Sequence, residues 1–224
     1  MNWIKETASV GKDMNGYYSF NNMDLYVMNP LPNDVDIASV LSTVANRIPL
    51  HLCQGVDVVY VGQFKDLKKR EINAMFQDGA IYVTNEQDDN DDFIDDIVHE
   101  IAHSVEAEHP NLIYEDGKLF TEFMGKRKRL YSILKTHKYN IDPIFKTRPE
   151  FNKEIDQYLY KVVGYEMLNT LTIGLFPSAY ASTSMSEYFA TGFEDYFIGD
   201  RKGLKKDCPV LFSKLEQLYF MGEN

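Results

Sequence analysis

The chain has 224 residues, of which 44% are hydrophobic, 13% aromatic and 25% charged. That composition suits one globular domain with a sizeable core and excludes collagen-like, low-complexity and disordered descriptions of the whole. Twenty-three basic residues stand against 34 acidic ones, for a net charge of -11, which opposes a general grip on nucleic-acid phosphates.

The N-terminal sequence MNWIKETASVGKDMNG has no apolar run of signal-peptide length. No later stretch reaches the roughly eighteen consecutive apolar residues of a spanning helix. The expectation is a chain with no membrane partner and a cytoplasmic location, with secretion by another route or incorporation into a particle left open. Cys53 and Cys208 lie far apart in sequence, and two free thiols in a reducing compartment is the expectation for them.

The first third reads as strands with one helix. Residues 24–28 and 56–62 are short runs rich in Val and Tyr and predict strands. Between them Ile37, Val40, Leu41 and Val44 have helical spacing over residues 36–47, with Asp34 or Asp36 as a cap and Pro49 as a stop. The basic run KDLKKR at 65–70 predicts a solvated face or loop. Asp78-Gly79 between two β-prone runs predicts a hairpin turn, with its second arm at residues 80–84.

The acidic cluster NEQDDNDDF follows. Asp88, Asn90 and Asp92 alternate like calcium-loop ligands, but Phe93 stands at the glycine position and His99 at the terminal Glu position, so that reading fails. Acids at a helix start complement the macrodipole. Over residues 91–108, Phe93, Ile94, Ile97, Val98, Ile101, Ala102 and Val105 form a broad apolar stripe, and Pro110 predicts its end. Further helices are predicted at 118–136, 151–175 (one long helix or two, weakened at Gly164 and Gly174), 186–197 and 209–221. Strands early and helices late predict an α+β fold.

His99-Glu100-Ile101-Ala102-His103 is an HExxH motif on the 91–108 helix. Residues four apart share a helix face, so two imidazoles can approach one Zn2+ from the same side. Glu100 stands beside them as a base for a water in the open coordination position.

Two residues compete to be the third protein ligand. His109 completes the HExxHxxGxxH spacing of metzincins, but Glu106 occupies the glycine position that lets the chain turn back, where a side chain is strained in a left-handed conformation. Glu187, in the run Glu187-Tyr188-Phe189-Ala190, lies on a later helix and would close a His2Glu site.

HEIAH at 99–103, Glu-Tyr-Phe-Ala at 187–190 and Tyr180 seven residues before Glu187 together resemble the catalytic domain of anthrax lethal factor and its relatives, which include bacterial Pro-Pro endopeptidases. The resemblance spans roughly residues 74–220 and is carried by these motifs. The stretch between His103 and Tyr180 is longer than the family pattern, and Thr191 stands where the family often has an acid. The resemblance implies a zincin-like gluzincin with His99, His103 and Glu187 as zinc ligands, Glu100 as the catalytic base and Tyr180 as a donor to the tetrahedral oxyanion. Glu106, Glu194 and Asp195 are candidates to support the ligands.

The expectation is thus a single zincin-like α+β domain over residues 1–224, with a sheet-bearing lobe to about residue 110 and a helical lobe from about 111. Its expected activity is zinc-dependent endopeptidase hydrolysis. A peptide substrate would lie extended along an edge strand from Ala80 to Asn85, and the acidic run at 88–96 would steer basic peptides. Two other readings stay open: a binding or structural protein on a metallopeptidase fold, and a zinc hydrolase of a non-peptide amide or ester.

Overall fold

The computed structural model describes residues 16–223. The N-terminal residues 1–15, read above for a leader, lie outside them. The chain divides into two compact units at Val105/Glu106, inside one continuous helix.

The first unit is built on a five-stranded mixed sheet in the order β1-β2-β3-β5-β4. Strands β1 (Gly16–Phe20) and β2 (Met23–Val27) form an antiparallel hairpin. Asn21 and Asn22 both have positive φ at its turn, as a two-residue hairpin of right-handed twist demands. A cap at Asp36, whose carboxylate accepts the Ala38 and Ser39 N–H groups, starts α1 (Ile37–Arg47). β3 (Val58–Gly62) then pairs parallel with β2. The run KDLKKR is a short helix, α2 (Lys65–Arg70), and not a loop: its charged residues face solvent while Leu67 is buried.

β4 (Ala74–Gln77) and β5 (Ala80–Thr84) form the expected hairpin, with φ of 51° at Asp78 and 79° at Gly79. The sequence expectation of an edge strand from Ala80 to Asn85 is corrected here. β5 pairs with both β3 and β4 and is interior; among the described residues the sheet's edges are β1 and β4, and β4 is the one beside β5. The chain runs out along β4 and folds back between it and β3, so the second arm of the hairpin gains two neighbours. Its all-buried central residues fit that place.

Register sorts the sheet's side chains into rows. Leu25, Val59 and Ile81 are aligned across three strands and fully buried. Tyr17, Tyr26, Tyr60 and Tyr82 form the adjacent row, with successive ring centroids 5.3, 5.8 and 5.5 Å apart. Phe64 and Leu67 cover its Tyr82 end. Such cross-strand aromatic pairs are worth roughly 0.2–1 kcal/mol each.

Helix α3 (Asn90–Glu108) begins where Asp89 accepts the Asp91 and Asp92 N–H groups at 2.9 and 3.0 Å. All seven residues of its expected apolar stripe are buried.

The second unit is almost wholly helical. α4 (Pro110–Tyr114) starts with proline in its first turn, and α5 (Lys118–Thr136) follows Gly117, whose φ is 66°. The stretch expected as one or two helices over 151–175 breaks more finely. It comprises α6 (Lys153–Tyr158), a π turn (Leu159–Val163) and α7 (Tyr165–Thr172), with Gly164 between them at φ 80°. A 3-10 turn (Tyr180–Ser182) leads to α8 (Met185–Phe197), then α9 (Arg201–Asp207), which the sequence reading omitted, and α10 (Pro209–Phe220). The core of this unit centres on the rings of Phe123, Phe176 and Tyr188, whose centroids lie 5.4–6.2 Å apart. An N-terminal mixed sheet followed by a largely helical C-terminal region is the α+β architecture of a zincin-like fold.

No helix among the described residues is long and apolar enough to cross a membrane. Cys53 and Cys208 are both free and buried. Burial pushes the Cys53 thiol up to about 11, against the Asn21 amide beside it, so it stays protonated and unreactive at neutral pH.

Candidate metal centre

The helical spacing of four does at α3 what it promised. The Nε2 atoms of His99 and His103 lie 3.2 Å apart, and the half-buried rings meet at 75°. Zinc–nitrogen bonds of about 2.0–2.1 Å in a tetrahedron require a nitrogen–nitrogen edge of about 3.3–3.4 Å. The two imidazoles therefore already stand at the separation of adjacent ligands of one ion.

One ring nitrogen from each histidine and a carboxylate oxygen of Glu187 all lie within 4.8 Å of one another. Two neutral imidazoles and one carboxylate are the donor set of His2Glu zinc sites. By donor type and spacing, the residues present fit Zn2+.

His109 is not in this group. The physical reason lies at Glu106, which continues α3 in helical conformation and is absent from the positive-φ residues. The backbone turn that a metzincin third histidine needs is not made. His109 instead sits at the start of α4, before Pro110.

Glu100 is 7% exposed. One of its carboxylate oxygens accepts the backbone N–H of Phe76 on β4 at 2.5 Å. Hairpin parity explains why that N–H is available. In a two-residue hairpin Gln77 and Met75 form the hydrogen-bonded pairs with Ala80 and Tyr82, so Phe76 turns its N–H and C=O away from β5. The sequence reading did not identify Phe76 as a partner of Glu100. Its signal lay in the Asp78-Gly79 turn, which determines that parity.

Glu187 is held from several sides. Ser184 caps α8 and accepts the Glu187 N–H at 3.1 Å. Ser186 donates its hydroxyl to Glu106 at 2.6 Å, and the Tyr114 hydroxyl donates to the other oxygen of the same carboxylate. Glu106 thus ties down the residue beside Glu187. Tyr188 is fully buried and donates to Glu122 at 2.9 Å; Glu122 also accepts the Val210 and Leu211 N–H groups that open α10. Phe189 and Ala190 are fully buried. The Glu-Tyr-Phe-Ala run therefore combines one ligand-type carboxylate with three core side chains, which anchor the turn that carries it.

Asp156 on α6 is a neighbour that the sequence did not mark. Burial, and then the charge of Glu187, raise its carboxyl above the ordinary range. Of the other expected supports, Asp195 accepts the Asp200 N–H at the far end of α8. Tyr180 is half-buried and opens the 3-10 turn preceding α8; its carbonyl accepts the Thr183 N–H at 2.9 Å and the Thr183 hydroxyl at 2.8 Å. On the preceding turn of α3, Asp96 accepts from the Gln87 amide at 2.9 Å, and burial pushes its carboxyl up to about 7.

No family model, curated protein or solved structure matches this chain. What the structure shows is coarser than the family resemblance: a His99, His103 and Glu187 cluster, consistent with a gluzincin-type donor set of HExxH plus a distal glutamate.

Proposed function

We propose that the chain is a zinc-dependent metalloendopeptidase of the lethal factor-like kind. The observation that carries this reading is the convergence of His99, His103 and Glu187 donor atoms within 4.8 Å, with Glu100 next in sequence to one of them. Zn2+ in such a site supplies Lewis acidity, making water a usable nucleophile near neutral pH and polarising the scissile carbonyl.

The chain's own residues do the rest. His99 and His103 hold the ion as neutral imidazoles, and Glu187 offsets one of its charges. Glu100 takes the proton of the attacking water and passes it to the amide nitrogen as the C–N bond breaks. The Phe76 N–H fixes one oxygen of that carboxylate, so its orientation does not have to be found in each turnover. The Tyr180 hydroxyl donates to the oxyanion as the carbonyl becomes tetrahedral. An extended peptide lies along β4 and not β5, using the outward backbone groups of Ala74 and the Phe76 carbonyl for strand addition.

The test is a peptide-library digest by the native chain and by Glu100→Gln, with metal content measured by mass spectrometry for both. The expected result is one zinc in each protein and hydrolysis reduced on the order of 10^3-fold in the variant. Undiminished turnover by Glu100→Gln overturns the water-activation scheme. Bound zinc with no peptide cleavage by the native chain, but hydrolysis of simple acyl amides, favours the non-peptide hydrolase. Failure on both substrate classes favours a binding protein.

A further inference from the structure

The second unit contains a small cavity of about 140 Å3 at the junction of α5, the 143–146 turn and α6. Arg127 forms part of its wall, although the residue is only 1% exposed. Burial lowers its guanidinium to about 10, which leaves it charged at neutral pH. Its guanidinium lies 4.1 Å from the centroid of the Phe145 ring and 5.3 Å from that of Phe123. It donates one hydrogen bond, to the Arg148 carbonyl at 2.6 Å. Among the described residues its Nε is buried with no acceptor, and no carboxylate is recorded within ion-pair distance of it.

A buried cation with spare donors is costly: the desolvation of the charge is offset here by two ring faces, one carbonyl and the more distant charge of Glu150. Buried polar groups are otherwise almost always paired, so an orphan beside a cavity points to a group that fills it. Ile144, Phe145, Phe151 and Ile155 make up the apolar part of the wall, and Arg148, Glu150 and Asn152 complete it. The volume is close to the roughly 150 Å3 that accommodates one benzene ring. Asn152 spends its side-chain carbonyl on the Ile155 N–H at 3.0 Å, so only its NH2 remains to offer. Every polar side chain in the wall but one is a donor; the exception is Glu150, exposed and nearest to Arg127 in its electrostatic effect.

We propose that this cavity is a binding site for a small carboxylate with an aromatic or branched aliphatic body, the carboxylate pairing with Arg127 and the body resting on Phe145, Ile144 and Ile155. Arginine is suited to the role because its planar fork takes a carboxylate in a two-point pair. Glu150 competes for the same charge from the rim and weakens binding. The carboxylate has two sources, a free organic acid or the C-terminus of a chain ending in an apolar residue.

The experiment titrates the intact protein with benzoate and with benzamide, following the methyl resonances of Ile144 and Ile155. These report on this cavity even if benzoate also reaches a metal elsewhere. The expected result is a saturable shift with benzoate, none with benzamide at equal concentration, and binding on the order of threefold to tenfold tighter in Glu150→Gln, as a like charge is removed. A short peptide ending in Phe, with free or amidated C-terminus, distinguishes the sources. Tighter binding of the free form than of benzoate identifies a chain terminus; benzoate binding alone identifies a free acid. Methyls that stay still with benzoate, or that move equally with benzamide, overturn the proposal. Because Arg127→Met removes a core side chain, Arg127→Lys is the second variant: it keeps the charge, loses the fork, and is expected to weaken benzoate at least threefold.

Discussion

Glu187 and His109 present opposite cases at the scale of single residues. Both were candidates for one role, and both have the right chemistry. Only Glu187 joins the histidine pair within 4.8 Å. Glu187→Ala is therefore expected to weaken zinc retention on the order of 100-fold or more, and His109→Ala to leave it unchanged, measured by competition with a chromophoric chelator. Ser186→Ala removes the hydrogen bond to Glu106 that steadies the first turn of α8. It is expected to cost about tenfold in zinc affinity without loss of fold. Tyr180→Phe keeps the ring and deletes the donor. On the proposed role it lowers kcat by about 10^2-fold with KM little changed, and an unchanged kcat removes the tyrosine from the mechanism.

At the scale of elements, α8 shows how packing and charge set limits on the helix that carries Glu187. Gly192 faces α10 so closely that an added Cβ would lie 2.3 Å from a Leu211 methyl carbon. Gly192→Ala should gain helix propensity yet lose about 1–3 kcal/mol overall, read by denaturant unfolding. Near the helix's end, burial first and then the charges of Glu194 and Asp200 push the Asp195 carboxyl up to about 6, against the Asp200 N–H it accepts. Its folded-state pKa exceeds its unfolded one, so between about pH 4 and 6 the folded chain holds a proton that the unfolded chain has released. Stability contributed by this group is present below that window and lost as pH rises through it. With the partial exposure of the site discounted, the effect is on the order of 1 kcal/mol. Asp195→Asn is accordingly expected to raise the unfolding temperature at pH 7.5 and to give no advantage at pH 4.

For the whole molecule, the proposed zinc site would link metal binding to folding. A ligand that binds only the folded chain at about 1,000 times its Kd adds about 4 kcal/mol. A chelator should therefore lower the unfolding temperature of the native chain by on the order of 10 °C, since about 1 kcal/mol corresponds to roughly 2–4 °C at this size. Glu187→Ala should show little of that loss, and an equal loss in the variant would put the bound metal elsewhere.

Local patterns in the sequence determined a good deal of this protein. The seven-residue stripe of α3, its Asp-rich start, the Asp78-Gly79 turn and the pairing of His99 with His103 all depend on neighbours within a few residues, where spacing and turn chemistry suffice. Tertiary structure alone decided the rest. Whether β5 is an edge or an interior strand depends on which strand pairs on its far side, and nothing within residues 80–85 records that. The meeting of Glu187 with the histidine pair and that of the Phe76 N–H with Glu100 involve groups more than 20 residues apart, and the orphaned Arg127 is covered by Phe145, 18 residues along the chain. Such contacts form only when separate elements pack, and a periodic pattern read along one segment carries no information about which other segment will meet it.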